Sequence, residues 1–129
     1  MLASSLISSS EIMQRFISLF RLESGSKYEK RELRDMQQTL GKILQKHQKV
    51  AMYLCGHIHN FQHLQVKGSS IDYIVNSSAS LSRKVNPIEG TIYCSPETGF
   101  SVIAADKSEL CLHMINNEGI VLHSVKKQK

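Results

Sequence analysis

The chain has 129 residues, 41% hydrophobic and 21% charged, enough for one globular domain that buries roughly two-thirds of its unfolded surface. No apolar run approaches the ~18 residues that cross a bilayer, so no membrane-spanning helix is predicted. The net charge is +5, but the basic residues are dispersed and "KKQK" at 126–129 reads as a solvated tail, which argues against a nucleic-acid-binding module.

The opening "MLASSLISSSEIMQRF" has no basic n-region, and serines break up its apolar residues, so it does not read as a secretory signal. A helix is predicted over 8–22, where Ser8 and Glu11 have capping-box spacing and Ile12, Phe16, Leu19 and Phe20 share a face. "ESGSK" interrupts the pattern. A second helix is predicted over 28–47, with Leu33, Met36, Leu40, Ile43, Leu44 and His47 on one face. Lys30, Arg31 and Arg34 alternate with Glu29, Glu32 and Asp35 on a solvent face. Gly41 costs this helix about 1 kcal/mol relative to alanine, which points to close packing.

"KVAMYLC" (49–55) is short, apolar on successive residues and ended by Gly56. It reads as a strand buried on both faces of a sheet. Further strands are predicted at 71–78, 99–106, 109–115 and 120–126, mostly antiparallel, with "NNEG" as a hairpin loop in which Gly119 takes positive φ. Residues 79–98 carry turn signals at Asn86-Pro87, Glu89-Gly90 and Ser95-Pro96 and read as a long loop of the kind that lies along a site. Cys55, Cys94 and Cys111 contain no CxxC pair and read as buried free thiols. Asn76-Ser77-Ser78 is a formal glycosylation sequon that ends a core strand and is expected to be unmodified.

Three of the six histidines, His57, His59 and His63, fall within seven residues just after the 49–55 strand. Ligands of open sheets gather beyond such strand ends. Gly56 permits close backbone approach, and imidazoles two residues apart can reach one metal centre or two neighbouring ones. The alternative is a polar turn that happens to be rich in imidazole. His47, His113 and His123 read as hydrogen-bonded surface or core residues, with His113 and His123 placed to pair across the last hairpin. His63 is ambiguous, because "QHLQV" can already be a strand.

"YLCGHIHNFQHLQ" resembles the Gly-His-x-His metal motif of the metallophosphoesterases, and specifically the version in tartrate-resistant purple acid phosphatases. The likeness runs through "IDYIVNSSAS" and "TGFSVIAADKSELCLHMINNEGIVLHS" and covers about 28–126. It implies an α/β (α+β) fold: the C-terminal part of a two-sheet β-sandwich flanked by helices, incomplete as it stands. Residues 1–27 show no such likeness, and 28–129 form the family-like part. The resemblance implies that His57 binds a divalent metal and His59 an iron(III). Two metal ions (iron plus iron, zinc or manganese) then hold a hydroxide that attacks a phosphate ester. Asn60 and Gln62 follow the motif and are candidates to hydrogen-bond the histidines or the substrate, or to serve a structural turn. Arg83 and Lys84 are weaker candidates for phosphate contact. A secreted, periplasmic or lysosomal location would fit such a family.

The family's other ligand motifs, Asp-x-His, Gly-Asp-x-x-Tyr and Gly-Asn-His, are missing, and residues 1–46 contain no histidine. The expectation is a fragment of an acid phosphatase, inactive alone and prone to self-association through exposed apolar surface. Its rivals are a non-catalytic phosphatase-like remnant and a basic partner-binding module.

Overall fold

In the computed structural model, residues 27–56, 58–77 and 79–128 are described. The helix predicted at 8–22 and His57 lie outside them. The predicted second helix is present as α1 (Lys27–Lys46), followed by β1 (Met52–Cys55), β2 (Phe61–Gln65), β3 (Asp72–Val75), β4 (Thr91–Ser95), β5 (Gly99–Ala105), β6 (Glu109–Asn116) and β7 (Val121–Gln128). These strands make two sheets, ordered β1-β3-β2-β4 and β5-β6-β7. The fold is therefore α+β, with no closed barrel among the described residues. β1 and β3 pair in parallel, and every other pair is antiparallel.

Alternation along the strands sends side chains to two cores. Between the sheets, Phe61 and Ile74 meet Leu112, Met114 and Val125. On the outer face of the first sheet, Leu64, Val66, Ile71, Tyr73 and Val75 form a second cluster, which Leu44 of α1 reaches. Gly41 is buried, as its place in an amphipathic helix suggested, whereas Met36 and Ile43 are 59% and 48% exposed. Among the described residues of the helix's apolar face, Leu44 packs on the sheet while Met36 and Ile43 do not.

Three expectations need correction. β1 is not buried on both faces: it is an edge strand, and Leu54 is 41% exposed. The stretch 79–98 is not all loop, because Thr91–Ser95 pairs with β2. "TIYCS" alternates only weakly, and the turn signals around it hid a short strand. The terminal lysines are no mere solvated tail, because β7 extends to Gln128 and Lys127 turns inward onto Asp72. The hairpin glycine is as expected, with Gly119 at φ 80°.

Among the described residues, one side of the sandwich is open. Leu54 is the register partner of fully buried Ile74, and Ile103 that of fully buried Leu112. Cross-strand partners face the same way, so Leu54 and Ile103 point into the space between the sheets, yet they are 41% and 49% exposed. β7 covers β2 and β4 through the contacts of His123 with His63 and Tyr93, while β5 lies toward β3 through a Ser101–Asn76 hydrogen bond of 2.7 Å. The free edges of β1 and β5 therefore flank the same side.

A Cβ at Gly99 would stand 2.0 Å from the Ile115 carbonyl oxygen and 2.8 Å from the Asn116 Cα, both backbone atoms that cannot swing away. Gly99→Ala is expected to destabilise the chain by about 1–3 kcal/mol, read as a lower urea midpoint in chemical denaturation.

Candidate functional site

β1 and β3 run in parallel, so their C-terminal ends lie side by side, and the Asn76 amide donates to the Cys55 carbonyl at 2.8 Å. Gly56, the bend at 58–60 and Asn76-Ser77 all lie at that end. His59 is half-buried there, and its carbonyl accepts a 2.8 Å hydrogen bond from the Arg83 amide. The 79–88 segment is thereby laid against the histidine turn, as its length and turn signals suggested. The Arg83 and Lys84 side chains are exposed.

Asn60 and Gln62 are 2% and 1% exposed. Gln62 Nε2 donates to Asn60 Oδ1 at 2.8 Å, and Asn60 Nδ2 reaches the Arg83 carbonyl at 3.5 Å. The Asn60 amide donates to the Ile58 carbonyl, which closes the turn. The two amides brace the turn and the neighbouring loop, the structural alternative open to them in the sequence. Asn76, at the head of the sequon, accepts from Ser101 Oγ and donates to the Ser77 carbonyl at 3.3 Å.

The motif strand's Cys55 donates to the Ile74 carbonyl at 3.6 Å, and burial pushes its thiol up to about 12. Tyr53, behind it, is also raised, first by burial and then by Cys55. All three cysteines are free and half-buried rather than fully buried.

Among the described residues, no three His, Cys, Asp or Glu side chains converge on one point. The donors present do not by themselves fit a dinuclear centre. Of the two candidate ligands, His59 lies just beyond the end of β1, and His57 is outside the described residues.

The remaining histidines divide differently from the sequence expectation. His63 belongs to β2 and points between the sheets. His113 and His123 do not pair across the hairpin: His113 Nδ1 contacts Ser124 Oγ at 2.7 Å on the outer face, while His123 turns inward. His63 Nε2 lies 2.8 Å from Asp72 Oδ1, and its Nδ1 lies 2.9 Å from His123 Nε2. Lys127 Nζ bonds the other Asp72 oxygen at 2.7 Å and donates to the Ser70 carbonyl at 2.7 Å. The His123 ring stacks on Tyr93, with centroids 4.6 Å apart and planes at 5°. Sequence reasoning missed this partly buried chain of polar groups. Its only signal was the period-two spacing of His123, Val125 and Lys127.

The class that these elements define is an α+β sandwich open along one side. Among solved structures, the chain is similar to "GAP50 the anchor in the inner membrane complex of Plasmodium", with 19% identity and a TM-score of 0.56. The likeness covers 81% of this chain but 31% of that one, so this chain spans about a third of that structure's length. No protein-family model matches the sequence, and no curated protein matches it.

Two outcomes follow from the braced turn. Asn60→Ala strands the buried Gln62 donor, and a loss of about 1–3 kcal/mol in unfolding free energy is expected. With its thiol held protonated through neutral pH, Cys55 should be alkylated far more slowly in the native chain at pH 8 than in urea, as mass spectrometry of iodoacetamide-treated protein would read.

Proposed function

We propose that this chain is the C-terminal part of a metallophosphoesterase-like phosphatase, contributing His57 and His59 to a two-metal phosphate-ester site whose other ligands lie outside the chain. The observation that carries this reading is the open side of the sandwich. β1 offers a free parallel edge there, Leu54 and Ile103 expose apolar surface from the inter-sheet space, and the histidine turn starts from the end of that same β1. Parallel strands normally lie within sheets covered on both faces, and unpaired apolar edges invite further strands. The partial coverage of a longer chain and the exposed Met36 and Ile43 of α1 support the same conclusion. In this reading the chain is inactive alone and its open side favours self-association.

The similarity to a protein described as an anchor favours a second reading, in which the domain scaffolds an assembly and the histidine turn has no chemistry. The two readings separate by experiment. The purified chain should hydrolyse a phosphate monoester such as p-nitrophenyl phosphate no faster than a His57→Ala, His59→Ala double variant. Residues 28–126 should then be joined behind an N-terminal half of a purple acid phosphatase that supplies the missing ligands. Activity with iron plus a divalent metal is expected, and His59→Ala should lower it by more than about 100-fold, because direct ligands matter more than the outer-shell groups that give 10–100-fold effects. Metal content of the two fusions, by elemental analysis, should fall in parallel. Equal metal content and equal rates in two fusions that fold alike would favour the scaffold.

A further inference from the structure

The chain Lys127–Asp72–His63–His123, buried at Asp72 and His63 and half-buried at its two ends, joins β7 of one sheet to β2 and β3 of the other. His63 and Asp72 are 5% and 3% exposed. Both ring nitrogens of His63 are engaged, Nε2 by the Asp72 carboxylate and Nδ1 by His123 Nε2. The groups facing the histidine pair are Asp72 from β3, Lys127 from β7 itself and Tyr93 from β4, whose ring stacks on His123.

The N···N contact of 2.9 Å requires one hydrogen between two nitrogens. With both rings neutral, His63 donates Nε2–H to Asp72 and accepts at Nδ1 from His123 Nε2–H. One added proton is tolerated: an imidazolium at His63 donates from Nδ1 to the bare Nε2 of His123, and an imidazolium at His123 donates the other way. A second proton is not tolerated. Two N–H groups would then face each other at hydrogen-bond distance, each on a cation, and Lys127 already occupies the second oxygen of the one carboxylate present. The contact must break.

We propose that the His63–His123 pair is an acid-released latch between the two sheets, closed while the neutral pair has taken up at most one added proton and opened by the second. Proton binding to folded His123 is disfavoured, first by burial and then by the charge of His63. A histidine that binds protons less readily folded than unfolded stabilises the fold above its ordinary value of about 6.5. That contribution is lost as pH falls from there through the depressed folded value. The latch is independent of any metal at the histidine turn.

The test uses the full chain. Ring nitrogen NMR should follow the histidines from pH 8 to pH 4.5, together with the nuclear Overhauser contact between the Tyr93 and His123 rings. The contact is expected at pH 7.5 and should vanish as the second proton binds. Persistence of the contact with both rings fully protonated would overturn the latch. In parallel, the urea midpoint of the chain should drop between pH 7.5 and pH 5. In His123→Phe, which keeps an aromatic ring against Tyr93, that drop should shrink by at least half, and an undiminished drop would also overturn the proposal. If His123→Phe does not fold, the NMR titration of the unsubstituted chain decides alone.

Discussion

A carboxylate withdrawn from water costs several kcal/mol unless it is paired and hydrogen-bonded, and Asp72 sits almost wholly buried between the sheets. His63 satisfies one oxygen from the neighbouring strand, and only β7 supplies the ammonium for the other. The register of the second sheet over the first follows from that need. A one-residue slip of β7 would turn His123 and Lys127 to solvent and bring Ser124 and Lys126 inward, breaking the His63–His123 contact and the present Lys127–Asp72 ion pair. The irregularity opposite Met114 and Ile115 fits the same constraint: it inserts an extra residue near the start of β7, so that Leu122 packs on the core while His123, Val125 and Lys127 keep the inward alternation.

Fixing the second sheet in this way leaves the opposite flank unsupported. The polar clamp and the Phe61–Leu112–Met114 core lie over β2 and β3, and toward β1 Met52 still packs on that core while Leu54 and Ile103 are exposed. The histidine turn is therefore built on an edge strand. Its rigidity comes from within the segment, through the Asn60–Gln62 amide pair and the backbone bond from Arg83 to His59.

Much of this was legible in the sequence, for identifiable reasons. α1 announced itself by apolar spacing, β5 to β7 by alternation and an Asn-Asn-Glu-Gly turn, and the end of β1 by an apolar run stopping at glycine. What was hidden depended on partners distant in the chain. The apolar run of β1 describes a strand that should be covered on both faces, and nothing in it reveals that the strand sits at a sheet edge with Leu54 exposed. β4 was lost among turn residues because a five-residue strand paired on one edge needs little pattern of its own. His63, His123 and Asp72 read singly as ordinary polar residues, since their meeting depends on two sheets closing over each other.

The insertion of β3 between β1 and β2 bears on how the chain acquires its shape. The β5-β6-β7 sheet is a meander whose neighbours in space are neighbours in sequence, with turns at 106–108 and 117–120. Contacts of short sequence separation form early, because little loop entropy is lost in making them. In the other sheet β1 and β2 never touch, and each waits for β3 to arrive between them. As the chain emerges during synthesis, the motif strand stays unpaired until residues 72–75 have been added. Its bonded neighbour among the described strands is then made only seven residues after β2 ends, so the histidine turn is shaped by a strand that comes after it.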